Sequence, residues 1–162
     1  MALTIVPLRA LQATHLAAVV AESEQSGFRF LHRLVTEWET GRNRFAHRGE
    51  VLLAARLDSC VVGVCGLTVD PHASEASVGR IRHLYVLARH RRRGIGQRLM
   101  TEVITVARPY FARLRLRTDS PEAARFYERL GFCPCVGLPH CTHVLELSGI
   151  PSRLLGRATE SR

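Results

Sequence analysis

Residues 89–100 read RHRRRGIGQRLM, five arginines and a histidine around Gly94 and Gly96. By itself the stretch admits three readings: a nucleic-acid patch, a solvated charge run, or a cradle for phosphates. Its flanks separate them. Upstream, RIRHLYVL (80–87) alternates as a strand, which puts Arg80, Arg82, Leu84 and Val86 on one face and Ile81, His83, Tyr85 and Leu87 on the other. Downstream, Ile95, Leu99, Met100, Val103, Val106 and Ala107 recur at helical spacing until Pro109 closes the pattern. The glycines therefore sit at a strand-to-helix turn. There, backbone N–H groups and the positive end of the helix dipole favour an anion. Without a Cβ at Gly94 and Gly96, a diphosphate can approach the main chain.

Working outward, LQATHLAAVVAESEQSG (11–27) predicts a helix with Thr14 as N-cap, Leu16, Val19 and Val20 on one face, and a stop at Gly27. FRFLHRLVTEWETG (28–41) predicts a second, with Phe30, Leu31, Leu34, Val35 and Trp38 as core stripe. Phe28 and Arg29, on the connection, are free to serve a pocket. EVLLAARL (50–57) and CVVGVCGLTVD (60–70) flank Asp58 and Ser59 as a hairpin. ARLRLRT (112–118) alternates, with Leu114 and Leu116 inward and three arginines outward. Ser120 then Pro121 start a helix that Gly131 stops. FCPCVG (132–137) and HVLEL (143–147) close the chain as short strands. The expected order is helix, helix, hairpin, strand, helix, strand, helix, two strands. Strands joined through helices imply a parallel pair at the centre, and the hairpins imply antiparallel neighbours.

The bulk properties fit one domain. The chain has 162 residues, 46% of them apolar. No apolar run approaches the roughly 18–20 residues of a membrane helix. MALTIVPLRA lacks a basic stretch before an apolar core, so a cytoplasmic protein without membrane association is expected. The net charge of +9 comes from arginine alone, which favours anionic partners and suits carboxylate or phosphate. Five cysteines argue against a disulfide framework. Cys133, Cys135, Cys141 and His143 lack the usual zinc spacing, so no metal is expected.

LYVLARHRRRGIGQRLM (84–100), followed about 30 residues later by SPEAARFYERLGF (120–132), resembles the Gcn5-related N-acetyltransferase family. The first segment is similar to the family's strand, Arg/Gln-x-x-Gly-x-Gly/Ala and helix signature. The second is similar to its Asn-x-x-Ala-x-x-Phe-Tyr-Glu-x-x-Gly-Phe element, with Ser120 in place of asparagine. The resemblance spans about residues 3–147. It implies an α/β fold with a mixed, mostly antiparallel sheet, a splayed parallel strand pair, and helices on both faces. The domain is expected over 1–148, with an arginine-bearing tail over 149–162.

The resemblance also implies roles. Backbone N–H groups of Arg91, Arg92, Arg93, Gly94, Ile95 and Gly96 would hold the pyrophosphate of acetyl-CoA, the acyl-donating cosubstrate. The main chain of Leu84, Tyr85 and Val86 would pair with pantetheine and polarise the thioester carbonyl. Ser120 would keep its helix-capping role, and Tyr127 would protonate the departing thiolate. Arg80 and Arg82 occupy positions where relatives carry a base, which arginine cannot be. They would either grip an anionic group on the acceptor or pair with acids such as Glu75 or Glu146. His83, with an ordinary pKa near 6.5, is the candidate base if a β-bulge re-aims it. The expected reaction is acetyl transfer to a primary amine by direct attack, the acceptor being an amine with an anionic group. A protein N-terminus or aminoacyl-tRNA stays open as acceptor, as do a nucleic-acid-binding module and a catalytically silent CoA-binding domain. Aromatics are too few among the arginines for a stacking platform, which disfavours nucleic acid. Dimers are common among such relatives, so a homodimer is one expected assembly.

Overall fold

The computed structural model describes residues 2–147, so the tail expected over 149–162 lies outside the described residues. Seven strands form one sheet in the order β1-β2-β3-β4-β5-β7-β6. They are β1 (Leu3–Pro7), β2 (Val51–Leu57), β3 (Cys60–Val69), β4 (Val78–Val86), β5 (Arg113–Leu116), β6 (Cys133–Pro134) and β7 (His143–Glu146). The helices are α1 (Ala17–Gln25), α2 (Phe30–Glu39), α3 (Ile95–Ala107) and α4 (Pro121–Arg129). Only β4 and β5 are parallel; the other neighbours are antiparallel.

The period changes in the sequence map onto these elements with two corrections. A strand precedes the first helix: Leu3–Pro7 pairs along its whole length with Leu53–Leu57. Five residues ending in proline carry too little alternation to announce a strand, and its pairing partner lies some fifty residues away. The first helix also begins differently. A 3₁₀ turn over Ala13–Leu16, capped at Gln12 rather than Thr14, leads into α1. At the hairpin, Asp58 takes a φ of 54°, a left-handed conformation that aspartate tolerates.

The predicted helical stripes form the core. Leu16 and Val19, Leu31 and Leu34, and Leu99, Met100, Val103 and Ala107 are fully buried, and Trp38 packs beside Phe45. Burying each large aliphatic side chain contributes about 1.5–3 kcal/mol. Adjacent residues of β4 show that the layers lie on opposite faces. Tyr85 meets Phe30 of α2, with ring centroids 6.1 Å apart. Val86 faces α3, where a Cβ on Gly96 would lie 3.8 Å from it. The cysteines divide: Cys65 and Cys141 are buried, Cys60 and Cys133 exposed, and none is in a disulfide.

Candidate active site

The central feature is where β4 and β5 stop pairing. Their register runs Val78↔Arg113, Gly79↔Leu114 and Arg80↔Arg115, and no rung follows. Beyond Arg80 the two strands diverge, so the β5-facing edge of Leu84, Tyr85 and Val86 has no strand partner. A strand edge without a ladder partner is a natural place for an amide-bearing ligand to add hydrogen bonds.

A bulge re-aims the strand just before that edge. Val64 pairs with Tyr85 and Gly66 with Arg82, so Cys65 alone opposes both His83 and Leu84. His83 takes a φ of 60° to accommodate the extra residue. The simple two-face reading of this strand is therefore corrected past residue 82. Arg82 reaches Glu37 of α2, Tyr85 reaches Phe30 of α2, and Val86 turns to α3.

Beyond β4 the chain makes a short 3₁₀ turn over Ala88–His90 and enters α3 through Gly94. Arg92 (φ 60°) and Gly94 (φ 79°) both lie in the left-handed region, which curls the main chain into a concave turn. The N-terminus of this 13-residue helix carries no side-chain cap and no acidic residue in its first turn. Its free N–H groups and dipole are left for an anion. A Cβ on Gly94 would meet nothing within 4 Å, so its missing side chain leaves open space in front of the turn. Gly96 differs from expectation: it faces Phe126 of α4 and Val86 at ordinary contact distance, packing the helix rather than lining open space.

The three arginines of the turn are exposed but not equivalent. Arg91 folds back, donating from Nε to the Val86 carbonyl at 2.8 Å and lying over the Tyr85 ring at 5.2 Å. Arg92 approaches Glu122 at 3.9 Å, an exposed pair. Glu22 of α1 braces the turn from the other side, its Oε1 accepting from the Ala88 amide at 2.8 Å. No local pattern marks Glu22, because its partner lies 66 residues away.

Ser120 caps α4 as read, its hydroxyl accepting from Ala123 N at 3.2 Å with Pro121 in the first turn. Tyr127 on this helix is buried edge-on to Phe126 and Phe132. Burial first, and then the nearby Cys65 thiol, push its phenol well above the usual range, so it stays protonated. His83 lies between the rings of Phe30 and Phe45. Burial, aided by Arg82, brings its pKa down to about 3, far from the ordinary 6.5 of the sequence reading.

Arg80 and Arg82 do have acidic partners, though not those expected. Arg80 lies 3.9 Å from Asp70 and donates to the His140 carbonyl at 2.8 Å; Arg82 lies 3.8 Å from Glu37. Glu146 instead pairs with Arg113. Arg115, read as facing outward, is only 16% exposed and also lies 3.9 Å from Asp70. Phe28 and Arg29 line a hollow of about 440 Å³ with Glu24, Gly27 and His32, on the loop between α1 and α2. Among the described residues no cluster of histidine, cysteine or acid is arranged to hold a metal ion. His143 spends its ring on Glu128 and Thr142, at 3.1 and 3.0 Å. No described helix is long and apolar enough to cross a membrane.

Comparison with known proteins agrees with the fold. The sequence model of the acetyltransferase (GNAT) family matches residues 16–132, well over half of the chain. A candidate acetyltransferase from Exiguobacterium sp. 255-15 superimposes with a TM-score of 0.80 at 28% identity, over 90% of this chain and 94% of that one. A GNAT-family acetyltransferase from Staphylococcus aureus Mu50 gives 0.70 at 17%, over 90% and 99%. N-acetylglutamate synthase from Neisseria gonorrhoeae, complexed with coenzyme A and N-acetylglutamate, gives 0.62 at 19%, over 90% of this chain and 36% of that one.

Proposed function

Because the chain belongs to the GNAT family of acetyltransferases, we propose that it transfers the acetyl group of acetyl-CoA to a primary amine by direct attack. The observation that carries this reading is the end of β4–β5 pairing at Arg80, with the bare N-terminus of α3 directly downstream. The residues present suit the cosubstrate. The concave turn from Arg91 to Gly96 would receive the pyrophosphate on its N–H groups. The free edge of Leu84 to Val86 would pair with the pantetheine amides and polarise the thioester carbonyl.

Acetyl-CoA supplies an activated acyl group as a thioester. As the acceptor nitrogen bonds to the carbonyl carbon, the carbon–sulfur bond breaks. The thiolate so formed takes a proton from Tyr127, which burial holds protonated at rest, and the phenolate left behind regains the proton that the acceptor nitrogen sheds through water. His83, near 3, is neutral but weakly basic, and we assign it to shaping the site rather than holding a proton. An acceptor arriving as the free amine then needs only water to take its remaining proton.

On the acceptor side we place Phe28 and Arg29 of the α1–α2 loop, and Arg80 and Arg82, which stay charged and suit an acceptor carrying an anion. The experiment is a mass-spectrometric search for acetylated products from a pooled amine library supplied with acetyl-CoA. Acetylated primary amines are expected. A library returned unchanged, with acetyl-CoA intact, contradicts the reading.

A further inference from the structure

Beside the last rung between β4 and β5 lies a charged layer of which the reading above uses only Arg80. Thr68, Arg80 and Arg115 stand side by side across three strands, Thr68 opposite Arg80 and Arg80 opposite Arg115. Asp70, two residues after Thr68, lies 3.9 Å from both guanidinium groups, its side chain 1% exposed. Its Oδ1 accepts from the His72 amide at 3.0 Å.

Within the layer two arginines thus share one carboxylate, while the adjoining hollow also carries the exposed carboxylate of Glu75. Neither ion pair closes to hydrogen-bond distance. Asp70 Oδ2, Arg115 Nε and Thr68 Oγ1 are all buried without a hydrogen-bond partner. Unmet polar groups in one layer are costly to a fold, and such costs are sustained where a ligand or water satisfies them. Arg115 is the member of the layer that reaches a cavity. It lines a hollow of about 260 Å³ together with His72, Ser74, Glu75 and Leu138.

We propose that this hollow anchors a carboxylate at the far end of the acceptor. Arg115, which lines the hollow, supplies the charge, and Arg80 stands beside it in the same layer. The proposal rests on the acetyl-transfer reading and deepens it by naming the acceptor class. Arg80 precedes Leu84 by four residues, about 13 Å along a strand. Arg80 moreover leans toward Asp70 and His140, away from the free edge. A carboxylate held there cannot belong to an α-amino acid whose amine reaches the thioester. The acceptor is an elongated amine with a distal carboxylate.

The test uses the unaltered protein with acetyl-CoA and ω-amino acids from glycine to aminoundecanoate, each beside its methyl ester and the matching n-alkylamine. The expected kcat/KM rises with chain length to an optimum among the long members. At that optimum the acid exceeds its ester by about ten- to hundredfold, the scale of a charge-assisted hydrogen bond. Arg115→Gln and Arg80→Gln, with folding checked by melting temperature, should each shrink the acid-to-ester ratio toward one. Equal rates for acid, ester and alkylamine, or an optimum at glycine, overturn the proposal while leaving acetyl transfer standing. Failure of acetyl-CoA to bind in a calorimetric titration removes both.

Discussion

At the residue scale, His83 shows how far burial overrides an intrinsic property. A strand histidine near 6.5 suits proton transfer on paper. Packed between Phe30 and Phe45, the same ring sits near 3. Stability should carry the signature. The unfolded chain takes up a proton below about 6.5 and the folded ring does not, so stability falls as pH drops from 6.5 toward 3. The slope from this one residue approaches ~1.4 kcal/mol per pH unit. Denaturant unfolding from pH 7 to 4 measures it, and His83→Gln should flatten the dependence. Tyr127 answers a different question. Tyr127→Phe keeps the buried ring while removing the proton donor, so we expect kcat to fall about a hundredfold or more with acetyl-CoA affinity retained. Steady-state kinetics beside calorimetric binding separate the two effects, and an unchanged kcat would move the acid elsewhere.

At the scale of elements, the decisive unit is strand, turn and helix from Val78 to Ala107, and much of it was legible locally. Alternation, then glycines, then a 3.6-residue stripe placed the turn at Gly94 and left the helix N-terminus bare. Its φ of 79° gives a direct check. Gly94→Ala adds a methyl that touches nothing, so its cost is backbone strain alone, about 1 kcal/mol. The turn should open slightly, weakening acetyl-CoA in a calorimetric titration while the chain stays folded. The bulge was legible only as a conditional. One residue inserted at His83 against Cys65 reverses the faces after it, and no alternation pattern displays that in advance.

For the whole molecule, what the sequence withheld is what depends on distant pairing. Arg80 and Arg82 stand out as charges on a strand, but Asp70 and Glu37, which meet them, come from other elements. Arg115 alternates as an outward residue, and only its parallel register with Arg80 turns it into half of a shared charge. Glu22 braces the turn across 66 residues, and β1 joins the sheet through a partner some fifty residues away. Local period and capping thus revealed the fold and the turn before α3, while the partners of the β4 and β5 arginines emerged from tertiary contacts. The net charge of +9 gains a concrete location: part of it lies on the turn before α3, and part lies on β4 and β5. The most direct test of the central claim is calorimetric titration of the protein with acetyl-CoA. The account predicts saturable binding of one molecule per chain at submillimolar concentration. The absence of any binding heat in that range would contradict it.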